Sequence, residues 1–268
     1  MKTYLKAGWE STKGQSFIIA VLFIYELLWG ALLYKFVQSL LTPLLHRFPG
    51  NDLDETSVHL FLAESQFQLT KTDVSHVYLW SLLAFCLARM LLSPMINAGL
   101  YYSIHIQGPQ GAAFIEGVRE KFKPFLVLYW VRIGVTLTPL YWIVPWLSGI
   151  VRDEAAHSSV LWTVSPVLGG YLLFGGFVHL CFMYMQWSRI TGHTLPQSLI
   201  FLVRRLFAAV GITFMVGMIA LLVAVVILSL SILWAGIIAL VLHQLYQLLR
   251  IFLKVWEIAA QYHLWQSK

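Results

Sequence analysis

The sequence predicts an all-α, polytopic membrane protein with about six transmembrane helices, paired as three hairpins and joined to short interfacial helices. Three observations lead to that class. Of the 268 residues 59% are hydrophobic and only 11% charged, whereas a soluble domain carries about a quarter of its residues charged. Apolar runs of about 18 or more residues, the length that crosses a ~30 Å hydrocarbon layer, recur along the whole chain. The basic residues gather in short clusters beside those runs, as the cytosolic ends of membrane helices do. Residues 1–268 read as one integral membrane domain.

The first span is expected at about 16–41, after a short amphipathic piece at Tyr4–Trp9. This apolar stretch outruns a signal-peptide h-region and no small-residue cleavage site follows it, so it reads as a retained helix. A polar stretch from Arg47 to Asp73 comes next, in which Val58–Leu62 could form a short interfacial helix. The second span, 77–102, contains Pro94, a kink position. After the turn Gln107–Gly111, residues Ala112–Phe122 read as an amphipathic helix preceding the third span, 125–147. Arg152, Asp153 and Glu154 mark a polar loop before the fourth span, 161–187. Leu195-Pro196 then opens a helix carrying Arg204 and Arg205. From Leu206 to Leu249 the chain is apolar for 44 positions, about 66 Å of helix, or twice the hydrocarbon thickness. Two spans, 206–228 and 232–253, with a turn near Ser229–Ser231, satisfy that length.

Orientation follows from counting. Twelve basic residues (Lys2, Lys6, Lys13, Arg119, Lys121, Lys123, Arg189, Arg204, Arg205, Arg250, Lys254, Lys268) fall on the side of the two termini. Three (Arg47, Lys71, Arg152) fall on the other. The positive-inside rule places both termini in the cytosol and the chain in the cytoplasmic membrane. It also accounts for the net charge of +6 without nucleic acid. Trp142, Trp146 and Trp162 fit an outer aromatic belt, and Trp187 and Trp256 an inner one. The segments around Leu5–Glu10, Phe114–Phe122 and Leu199–Phe207 each precede an inside-to-outside span, a weak sign of a repeated hairpin unit.

Few residues suggest chemistry. Glu26, Arg89, Arg132, Asn97 and His179 fall inside spans, where an unpaired charge costs at least ~2.5–3.5 kcal/mol on insertion scales. Two arrangements satisfy them: a static pair of Glu26 with Arg89 or Arg132, or a polar cavity coupling Glu26 to a substrate or proton. Glu116, Arg119, Lys121, Arg204 and Arg205 form an inner-surface group suited to anionic headgroups or a protein partner. Gly169 and Gly176 share one helix face and permit close approach of a neighbouring helix. The histidines show no paired metal spacing and no nucleotide or nucleophile motif occurs, so no catalytic residue, metal or cofactor is assigned. Cys86 and Cys181 read as small buried hydrophobes.

An N-terminal interfacial helix, six spans, internal termini and no nucleotide site give a layout that resembles the membrane subunits of ABC exporters. That resemblance implies a separate cytosolic ATPase, with Ala112–Phe122 as its contact. Three functions fit the sequence. The first is a non-enzymatic accessory, scaffold or envelope-assembly protein packed against another membrane protein. The second is a permease subunit with Glu26, Arg89, Arg132 and Asn97 along a polar path. The third is a lipid-handling enzyme with Asp52, Asp54 and His59 at the outer surface.

Overall fold

The computed structural model of the protein describes residues 1–45, 74–106, 109–154, 159–234 and 236–267. Among them are nine helices and no strand. They are α1 (Lys2–Lys13), α2 (Ser16–Leu45), α3 (Val74–His105), α4 (Gln110–Leu137), α5 (Leu140–Glu154), α6 (Ser159–Thr191), α7 (Leu195–Arg204), α8 (Leu206–Leu233) and α9 (Ile237–Gln266). Six segments are long and apolar enough to cross a membrane: Ser16–Ser39, Tyr78–His105, Gly111–Ile150, Trp162–Thr191, Leu206–Leu233 and Ile238–Gln266. The all-helical, six-segment expectation therefore holds. The segment Val58–Leu62 and the residues Asp52, Asp54 and His59 lie outside the described residues.

Several boundaries differ from expectation, each for a local reason. Ala112–Phe122 is no separate helix, because α4 runs unbroken from Gln110 through Pro124 to Leu137. The break comes inside the expected third span, at Thr138-Pro139, where Pro139 precedes the first turn of α5. Proline is tolerated at that position, since the missing N–H has no intrahelical partner there. Arg152, Asp153 and Glu154 are the last turn of α5 and not a loop. Ser229 and Ser231 do not form the turn between the last two spans. Their hydroxyls donate to Val225 O and Ile227 O one turn back, both at 2.8 Å, and α8 continues to Leu233. The chain reverses instead at Gly236, with φ +94° and ψ −143°, a conformation essentially confined to glycine. From there α9 runs 30 residues, about ten more than a ~30 Å apolar layer requires.

The described chain forms two compact units, Val21–Ser93 and Met1–Ala20 with Pro94–Lys268. In the first, α2 and α3 form a hairpin. Trp29 meets Phe85 edge-on at 4.5 Å, Tyr25 Oη and Ser93 Oγ are 2.9 Å apart, and the Tyr78 hydroxyl donates to Ser39 O at 3.4 Å.

The second unit holds the main core, gathered where helix ends meet. The last turns of α9 lie at its centre, with Val255, Ala259, Ala260 and Leu264 wholly buried. Helix α1 lies along them: Trp9 contacts Phe252 at 4.9 Å and Trp256 at 5.0 Å, and Trp256 Nε1 donates to Leu5 O at 2.9 Å. Ser11 Oγ and His263 Nε2 are 2.8 Å apart. A β-carbon on Gly8 would stand 2.7 Å from Ala260 Cα, so the two helices touch backbone to backbone.

That contact predicts the behaviour of a Gly8→Val variant. The added side chain meets backbone, which cannot rotate away, and overpacking of this kind costs about 1–3 kcal/mol. Limited trypsinolysis in detergent should cleave at Lys6 and Lys13 faster in the variant than in the wild type. Equal rates would show that α1 is not held at Gly8.

Candidate functional site

The expected intramembrane cluster is divided. In the hairpin unit the Arg89 guanidinium donates to Glu26 Oε2 at 3.3 Å and lies 6.0 Å above the Trp29 ring. Glu26 is one turn from Trp29 on α2, so a single face of that helix offers both the carboxylate and the ring. The pair is not enclosed, with side chains 35% and 48% exposed. The other three residues belong to the larger unit. Arg132 on α4 and His179 on α6 lie within electrostatic reach of each other, and Asn97 is half-buried on α3. His179 Nδ1 is buried with no hydrogen-bond partner among the described residues.

Of the inner-surface group, Glu116, Arg119, Arg204 and Arg205 are exposed and Lys121 is partly so. Helix α7 carries the two arginines and is well specified locally. Gly192, at φ +76°, turns the chain out of α6. Gln197 Oε1 then accepts the Thr194 backbone N–H at 3.2 Å, and Pro196 sits in the first turn. Ser198, Phe201 and Leu202 are its buried face.

The principal polar assembly was not foreseen. At the packed end, hydrogen bonds run in one direction across α6, α9 and α8. The Tyr184 hydroxyl donates to Gln261 Oε1 at 2.6 Å, and Gln261 Nε2 donates to Thr213 Oγ1 at 3.1 Å and Ala209 O at 2.8 Å. The Thr213 hydroxyl then donates to Glu257 Oε1 at 2.9 Å. Gln261 is wholly buried, and the bonds link Tyr184, Gln261, Thr213 and Glu257 in series, in keeping with the rule that most buried polar groups are satisfied. Beside the chain lies an aromatic layer. Trp187, wholly buried, stacks between Tyr101 and Tyr262 with both ring centroids 4.5 Å away, and Trp265 meets Phe201 at 5.0 Å. Trp187 therefore belongs to the core and not to an inner aromatic belt. Gln15 and Ser103 close the layer with reciprocal bonds of 3.0 and 3.3 Å.

A helical stripe could have announced this core. Ile251, Val255, Ile258, Tyr262 and Trp265 recur at spacings of four, three, four and three, all buried. Ending the last span at residue 253 hid it.

Between α4, α6 and the start of α7 lies an open groove of about 410 Å³, lined by Pro124, Val127, Leu128, Val131, Phe182, Met185, Arg189 and Leu195. Two of these, Leu128 and Phe182, belong to a small buried cluster with Val178.

No family model, curated protein or solved structure matches the chain. Among the described residues no group of three His, Cys, Asp or Glu side chains is placed to hold a metal. The described site is a packed joint of helix ends, with an apolar groove on one side.

The buried chain predicts a stability effect. In Gln261→Leu the Tyr184 hydroxyl loses its acceptor inside the core, at about 1–3 kcal/mol for a buried group left unpaired, and Thr213 Oγ1 loses a donor. Thermal unfolding in detergent should show a clear fall in midpoint, while Arg204→Gln, at an exposed position, should change little. Similar midpoints for both variants would mean that the chain is not a structural joint.

Proposed function

We propose that the chain is a six-span integral protein of the cytoplasmic membrane, with both termini in the cytosol, acting as a non-catalytic accessory or scaffold for another membrane protein. One observation carries this reading: among the described residues the apolar segments of the larger unit leave many large side chains exposed. Leu172 and Leu173 are 73% and 79% exposed, Phe207 is 90% and Ile232 is 75%. Gly169, Gly170, Gly175 and Gly176 face open space, so their predicted role in packing is not filled by any helix described here. Apolar surface on this scale needs lipid or another protein against it, and small residues let a partner helix approach closely. The basic residues near the packed end support placing it at the cytosolic face.

The Glu26–Arg89 pair supports the accessory reading over a permease subunit working with an ATPase. Each charge has its counter-charge and the arginine also has a ring beneath it, so register is a sufficient role for both. A Glu26→Gln variant leaves Arg89 without its carboxylate and should lower the yield of folded protein from membranes. The double variant Glu26→Gln/Arg89→Gln should recover most of it. A double variant that stays as poor as the single would argue that the charges do more than balance each other.

Two measurements test the proposal itself. A fluorescent reporter fused after Lys268 should fold in the cytosol, and a periplasm-dependent phosphatase at the same place should be inactive; the reverse pattern rejects the orientation. Substituting leucine at both Gly169 and Gly176 should leave the thermal midpoint of the purified chain unchanged, because nothing lies within reach of either residue. In mildly solubilised membranes the same variant should run as a smaller complex than the wild type. If wild type and variant both run as the isolated chain, the scaffold reading fails.

A further inference from the structure

We infer that the groove between α4 and α6 is a binding site for one anionic phospholipid of the cytosolic leaflet, with an acyl chain in the groove and the phosphate on Arg189. The inference rests on the membrane placement proposed above. Pro124, Val127, Leu128 and Val131 are spaced three, four and seven residues from the first, one stripe along α4 about 10 Å long. Phe182, Met185 and Arg189 repeat that spacing on α6. The two helices run antiparallel: the Tyr171 hydroxyl donates to Thr136 O, whereas farther along Leu128 packs with Val178 and Phe182. Arg189 consequently stands toward Pro124 at the end of the slot nearest α7, with Phe182 and Val131 toward the other end.

Chemistry then selects the occupant. The walls are hydrocarbon apart from one guanidinium, and the volume of about 410 Å³ lies in the range of small-molecule sites. Arg189 is exposed and makes no hydrogen bond or ion pair to any described residue. No carboxylate lines the groove to compete for it. An unpaired guanidinium above an apolar slot is complementary to a phosphate carrying a hydrocarbon chain, because its planar fork matches phosphate oxygens in pairs. Arg189 also belongs to the basic side of the chain, the side that faces anionic headgroups in the orientation proposed. General surface attraction would draw lipid to every basic residue there. The slot distinguishes Arg189 from Arg204, since Arg189 lines a place for the chain and Arg204 does not line that groove.

The test uses the full chain, purified in mild detergent and equilibrated with phosphatidylglycerol or phosphatidylcholine of identical acyl chains, with retained lipid counted by native mass spectrometry. The wild type should retain the anionic lipid roughly tenfold better. Arg189→Gln should remove that preference, Arg189→Lys should keep part of it, and Arg204→Gln should leave it intact. Val131→Trp, which fills the slot from an exposed position, should reduce retention of both lipids. Glycerol phosphate and oleate, supplied separately, should each compete poorly, since each satisfies half of the site. Equal retention of the two lipids by the wild type overturns the proposal, as does an equal loss in Arg189→Gln and Arg204→Gln. Failure of the membrane reading would look different, because the chain would then stay monodisperse without detergent.

Discussion

The second unit depends on the last four turns of α9 being a buried helix and not a solvated tail. Those turns provide the surface that α1, α6 and α8 share: Ala260 under Gly8, Gln261 between Tyr184 and Thr213, Tyr262 against Trp187. Small residues at 259 and 260 let a neighbouring backbone approach, and the large ones on either side fill the space that closeness leaves. Without those turns α1 would lose the helix it lies along and Tyr184 its acceptor.

Packing of this kind at one end has a consequence for the rest of the chain. In the apolar segments only 6–28% of each most hydrophobic window is buried, so their lengths are held by hydrogen bonds within each helix and by whatever surrounds them. A helix satisfies its own backbone and can stand in hydrocarbon without neighbours. A polar side chain cannot, and for several of them the described structure answers that need locally, His179 Nδ1 being an exception. Glu26 meets Arg89, Gln261 is bonded on three sides, and the serine hydroxyls of α8 return to carbonyls of their own helix. Arg189 has no such answer among the described residues, and it stands at the edge of an apolar slot. A groove and an unpaired charge in the same place suggest a ligand more strongly than either does alone.

Much of the architecture was legible in residues 1–268, and the candidate sites were not. The apolar runs located all six long segments, and Glu26 with Arg89 was among the pairings the sequence allowed. The boundaries failed where one residue mattered more than the average. Pro124 was carried inside a helix while Pro139 ended one, and Gly236 made the turn that two serines had suggested. Serine in an apolar helix bonds to its own backbone, whereas glycine alone reaches the backbone angles found at 236. The buried chain from Tyr184 to Glu257 joins residues of three helices up to 77 positions apart, and no spacing rule connects them.

Composition and periodicity thus determined that the chain is helical and where its six long apolar segments lie among the described residues, because both depend on nearest neighbours and on transfer from water to hydrocarbon. Which faces meet was decided only in three dimensions. The close contact of Gly8 with Ala260, the burial of Trp187, the open face at Gly169 and Gly176 and the slot beside Arg189 all depend on the distance between helices. That distance is a compromise among many side chains at once, and no single stretch of sequence records it.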